Sequence, residues 1–168
     1  MMILLIFIYK KSMNRRKATT MIILHCSATR EGQDIKAKTI KQWHKERGFD
    51  DIGYHYVIDL DGTIEKGREE DLVGAHCKGH NATSIGICYV GGCDKNMKPK
   101  DTRTPEQKRS MLSLVRKLVN KYKIPVTQIW AHHDFDKHKA CPSFDVSEFR
   151  KDYIKYVFFT GQTNIDKL

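Results

Sequence analysis

The run MIILH, residues 21–25, is apolar until its last position. Such a run reads as a buried strand, and it delivers His25 at its end. Any fold open to this chain must therefore accommodate a histidine where a core strand stops. The following segments supply that strand's neighbours. Residues 37–47 place Ile40, Trp43 and His44 on one face, as an amphipathic helix does, and Gly48 ends it. YHYVIDLDGTIEKG, residues 54–67, alternates and turns at Asp61-Gly62, a strong hairpin signal. SIGICYVGG, residues 84–92, is another apolar strand. Thr104 is a helix cap, Pro105 suits the first helical position, and Gln107 stands three residues after the cap. Behind it, Met111, Leu114, Val115, Leu118, Val119 and Tyr122 recur at the period of a core-facing helix. VTQIWA after Pro125 reads as a strand, and Asp145 with Glu148 as the capping box of a last helix.

Strands and helices thus alternate. The expectation is a single α/β domain, a central mixed sheet flanked by helices. A chain of 168 residues has room for one domain, and a hydrophobic fraction of 40% suffices for a packed core. The expected division is a weakly structured or spurious leader over 1–20, the globular domain over 21–158 and a tail over 159–168. The leader's apolar run is too short to span a bilayer, and its charges follow the run where a secretory signal places them before it. Neither a signal peptide nor a transmembrane anchor is expected.

Five cysteines, an odd number without a CxxC, exclude a disulfide-stapled framework and favour one or two chemically useful thiols. The formal charge of +10 suits a polyanionic partner such as nucleic acid, an anionic membrane face or an acidic wall polymer. Solvated surface lysine explains it equally well.

The residues that carry chemistry are His25, the pair His132/His133 in AHHDFDKHKACPSFD, and Cys141 in the same segment. Two imidazoles and a thiolate are donors that zinc prefers, and three protein ligands with an open fourth position mark a catalytic site. Spacing alone leaves two other readings open. One is a nucleophilic cysteine with a histidine base, the other a core cysteine with surface histidines.

At these residues the chain resembles the zinc-dependent N-acetylmuramoyl-L-alanine amidases of the phage-lysozyme type, relatives of the peptidoglycan recognition proteins. The likeness rests on ILHCSAT, IKQWHKERGF, DIGYHYVIDLDGTIEKGR, VGAHCKGHNATSIGICYVGG and AHHDFDKHKACPSFD, spread over residues 22–149. The resemblance implies an amidase-like fold and hydrolysis of the amide joining the lactyl group of N-acetylmuramic acid to L-alanine of the stem peptide. It implies one zinc per chain, held by His25, His132 and Cys141. It also implies catalytic roles for Tyr54 near the attacking water and Lys139 at the transition state, with His76 and Asn81 facing substrate. Counting back from Cys141 selects His133 as ligand, whereas aligning on the strand end selects His132. The second is preferred, because a loop absorbs an extra residue more easily than a strand. His55, beside Tyr54, is expected to be structural and to point to the opposite face. The implied partner is peptidoglycan or its muropeptides, with no stable nucleic-acid binding and a monomeric chain. Synthesis in the cytoplasm and action on the wall after release or export is expected. The rival functions are a non-catalytic wall-binding module and a phage-type regulator of RNA polymerase.

Overall fold

The computed structural model describes residues 14–165. The apolar leader run lies outside the described residues. Residues 14–16, on the leader side of the expected boundary at 20, pair with the 71–73 loop: Val73 N donates to Asn14 O at 2.8 Å and Arg16 N to Asp71 O at 2.7 Å. Arg16 also donates from its guanidinium to Ser84 O.

In chain order, β1 is Met21–Cys26, β2 Thr29–Arg30, α1 Ala37–Glu46, β3 Tyr56–Ile58, β4 Ile64–Lys66, β5 Ser84–Tyr89 and β6 Gly92–Cys93. Then come α2 at Pro105–Tyr122, β7 at Ile129–Ala131, α3 at His132–Phe135 and α4 at Val146–Ile165. Five strands form one sheet in the order β4-β3-β5-β1-β7, and β2 pairs with β6 in a second. Within the main sheet β3, β5, β1 and β7 are parallel, and β4 returns antiparallel on the edge. The mixed sheet is as expected, and β1 is an interior strand, paired in parallel with β5 on one side and β7 on the other.

The local signals act as read. Thr104 Oγ1 accepts from Gln107 N at 3.0 Å, and Gln107 Oε1 accepts from Thr104 N at 3.0 Å, so the capping box closes. The hairpin turns at Gly62, whose φ of +84° favours glycine. A Cβ there would stand 2.9 Å from Ser110 Oγ, so the turn also docks closely on α2. Two readings shift. Val126–Gln128 form a 3-10 turn after Pro125, leaving only Ile129–Ala131 as strand. At the last helix, Asp145 caps Ser147 N at 2.7 Å, but Glu148 bonds Lys151 at 2.6 Å instead of returning to the cap. That helix runs to Ile165, through part of the expected tail.

Alternation along β1 sends Ile22, Leu24 and Cys26 to one face of the sheet, and Ile23 and His25 to the other. The first face packs against Met111, Leu114, Val115 and Leu118 of α2 and Phe149 and Tyr153 of α4. The second is covered by α1, through a smaller cluster of Ala37, Ile40, Ile52, Val57, Cys88 and Val90. The histidine lies on this lightly covered face.

Candidate metal centre

His25 pairs in register with Cys88 of β5, one residue beyond the last β1–β7 pair at Leu24–Ala131. His132 follows β7 directly. Both imidazoles therefore emerge at the carboxyl ends of parallel strands, where ligand sites gather. Cys141 reaches them on a loop tied back at several points. His133 N donates to Cys141 O at 2.9 Å, Ser143 N to Ala140 O at 2.7 Å, and the Tyr89 hydroxyl to Pro142 O at 2.9 Å. Cys26 N then donates to Cys141 Sγ at 3.2 Å.

The result is a compact donor set. His25 Nδ1 stands 3.1 Å from His132 Nδ1 and 3.7 Å from Cys141 Sγ, and all three donor atoms lie within 4.8 Å of one another. Zinc bonds of ~2.0–2.1 Å to nitrogen and ~2.3 Å to sulfur, at tetrahedral angles, would separate N from N by ~3.3 Å and N from S by ~3.6 Å. The group thus fits a zinc ion in both donor chemistry and spacing. His132 is the member of the pair that converges. His133 turns Nδ1 toward Cys141 O at 3.1 Å and holds Nε2 3.8 Å from Asp134.

The electrostatics suit ligation. Burial pushes the His25 imidazole well below its ordinary value, with His76, His132 and Lys139 acting in the same sense. Burial, followed by Lys139, lowers His132 as well. Both rings are neutral near pH 7 and offer lone pairs. The adjacent Cys26 side chain and burial push the Cys141 thiol up. A bare Cys141 therefore keeps its proton, while a coordinating dication removes it.

A cleft of about 620 Å³ opens beside the donors, lined among others by Tyr54, His76, Asn81, His132 and Lys139. Arg47, Lys78 and Lys139 set its charge against the carboxylate of Asp136. Tyr54 packs its ring 5.1 Å from that of His25, and burial pushes its phenol well above the ordinary value. Lys139 is 49% exposed, with Asp136 at 3.8 Å.

The two residues expected to face substrate are also tied inward. Asn81 Oδ1 accepts from His76 N at 2.8 Å and Cys77 N at 2.9 Å, leaving its amide nitrogen for other partners. His76 is 8% exposed, and its Nδ1 lies 2.9 Å from His25 Nε2. Reasoning from the sequence missed this contact behind the ligand. The available signal was Gly86, a glycine inside an apolar strand, which marks close approach. His55 is structural as expected: it is buried, lowered to about 4 chiefly by burial, and its Nδ1 accepts from Gly86 N at 3.0 Å. Its ring does not lie on the opposite face. It meets His76 edge-on at 5.7 Å, and the Tyr54 ring reaches the same His76 at 6.5 Å: His55 keeps the ladder bonds, from its N to Gly86 O and from Gly67 N to its O, whereas Tyr54, ahead of β3, packs on the side of Val57 and leaves the alternation. All five cysteines are free thiols.

A family model described as N-acetylmuramoyl-L-alanine amidase matches residues 15–144. The chain belongs to the N-acetylmuramoyl-L-alanine amidase family. The amidase is 47% identical over 135 residues to the endolysin of Escherichia phage T7, covering 80% of this chain and 87% of that one. Among solved structures, it matches the N-acetylmuramoyl-L-alanine amidase LysC from Clostridium intestinale URNW with a TM-score of 0.72 and 32% identity, over 85% of this chain and 90% of that one. Drosophila PGRP-LB matches with a TM-score of 0.67 and 25% identity, over 79% of each chain. Among the described residues no helix is long and apolar enough to cross a membrane.

Proposed function

We propose that this amidase cuts the bond between the lactyl carbonyl of N-acetylmuramic acid and L-alanine of the peptidoglycan stem, at a zinc centre held by His25, His132 and Cys141. The convergence of two neutral imidazoles and one thiol beside an open cleft carries the reading. Zinc held by these residues would supply Lewis acidity toward the amide carbonyl and would acidify water toward a pKa of ~7.

The chain's own groups do the rest. Lys139 lines the cleft, and its ammonium stabilises the oxyanion that develops on the carbonyl, a contribution of ~3 kcal/mol for a donor of this kind. Tyr54 enters as a neutral phenol, since burial opposes its ionisation, and its hydroxyl orients the reacting groups by hydrogen bonding. Arg47 and Lys78 face the cleft and attract the carboxylates of the stem peptide. A nucleophilic Cys141 is disfavoured, because a thiol pushed up by its surroundings is a poor thiolate.

Metal analysis of the purified chain, combined with turnover of defined muropeptides, tests the proposal. About one zinc per chain is expected, and Cys141→Ser loses both metal and turnover. Zinc-free protein with full activity overturns it.

A further inference from the structure

Behind the donor set lies a chain of hydrogen bonds that no catalytic step uses. Ser84 Oγ donates to His80 O at 2.7 Å. A hydroxyl has one proton, so toward His76 Nε2, at 3.2 Å, the same oxygen must accept. Nε2 of His76 therefore carries a hydrogen. A neutral imidazole carries only one, which leaves His76 Nδ1 bare and facing His25 Nε2 at 2.9 Å. His25 then holds its proton on Nε2, and its Nδ1 lone pair points to His132 and Cys141. A single backbone carbonyl, which can only accept, sets the direction of all three bonds.

The ring that transmits this order is held by shape. A Cβ on Gly86 would stand 2.6 Å from His76 Cγ, and one on Gly74 would stand 2.6 Å from His76 Cδ2. Only glycine at both positions leaves the slot in which the imidazole lies. Asn81 fixes the backbone at His76 through the two bonds described above.

We propose that His76 is a positioning residue, and that the relay His25–His76–Ser84–His80 carbonyl locks His25 in the tautomer that presents Nδ1 to the metal. The proposal rests on the zinc-amidase reading for the purpose of the tautomer, but the tautomer itself exists in the metal-free chain. Hydrogen bonds to the free nitrogen of a ligating histidine typically change metal affinity by ~10–100-fold.

The test uses the full-length chain. Long-range proton–nitrogen NMR of the metal-free protein reads the His25 tautomer, and competition with a chelator reads zinc affinity. Wild type should show His25 protonated at Nε2. His76→Phe should mix the tautomers and weaken zinc ~10–100-fold. His76→Asn, which returns an acceptor near the Nδ1 position, should recover much of the affinity. Ser84→Ala keeps the ring packing and removes only the far link. It should loosen the tautomer preference and weaken zinc several-fold, and it decides the matter if His76→Phe fails to fold. An Nδ1-protonated His25 in wild type, or unchanged tautomer and zinc affinity in Ser84→Ala, overturns the relay. Wild type that shows the Nε2 tautomer yet binds no zinc sinks the metal reading and leaves the relay standing.

Discussion

The face of the sheet under α2 and α4 packs Ile22, Leu24, Ile85 and Ile87 against two long helices, and Met111, Val115 and Leu118 there have no exposed surface. The face under α1 has a smaller apolar cluster, and beside it stand His25, His55 and His76, all buried. Both faces arise from the same strands, read in alternate residues. One contributes stability by removing hydrocarbon from water. The other holds buried polar groups that fold stably only because each is hydrogen-bonded. The division lets catalytic groups be arranged on one side while the helices on the other hold the strands in place.

Substitutions on the two faces should therefore separate stability from chemistry. Leu118→Ala, on the covered face, should lower the free energy of unfolding by ~3–5 kcal/mol in urea titration and leave turnover per folded molecule unchanged. Turnover that falls in the folded variant would break the division. Lys139→Ala, on the open face, should do the reverse. Zinc content and unfolding midpoint stay put, while kcat falls ~10²–10³-fold, about 3 kcal/mol of barrier. Wild-type kcat in this variant removes the oxyanion role.

Acidity sharpens the same contrast. On the zinc-amidase reading, with Cys141 pushed up and the imidazoles of His25 and His132 pushed down, metal uptake should release its proton from sulfur alone. Lowering the pH restores that proton, so chelator-competition affinity should fall roughly tenfold per unit from about pH 8 to pH 6. A slope near two would mean that a histidine is protonated as well. The smallest effect belongs to the helix start: Thr104→Ala should cost ~1 kcal/mol in thermal or urea unfolding, with zinc affinity unaltered. A loss of zinc there would show that the two faces are more tightly linked than their packing suggests.

Much of this was legible in the residue order. MIILH announced a buried strand ending in His25, and TPEQ with the repeat behind it announced α2 and its buried stripe. Both signals are local, a run and a period, and survive without knowledge of neighbours. The preference for His132 over His133 rested on the resemblance together with the argument that a strand end is a firmer anchor than a loop, and in the structure His132 Nδ1 lies 3.1 Å from His25 Nδ1 while His133 turns to Cys141 O. His76 could not be read as a support for His25 in the same way. Its meaning depends on a slot made by Gly74 and Gly86, which come together only when the loop folds over β5. Likewise His55 and Tyr54 were assigned to opposite sides by strand alternation, which Tyr54, ahead of β3, does not follow.

The bond from His133 N to Cys141 O clamps together the two ends of the segment that carries both later donors. Between them the chain makes an excursion held at further points: Asp136 N donates to His132 O at 3.1 Å, Lys139 N to Asp136 O at 3.1 Å, and the Phe135 ring lies 3.9 Å from that of His80. Asp136 and Lys139, 3.8 Å apart, ride on that excursion and not on the sheet. On the zinc-amidase reading, a change of length within residues 137–140 should therefore shift the ammonium of Lys139 further than either donor atom, since the strand end and the His133–Cys141 clamp hold those in place.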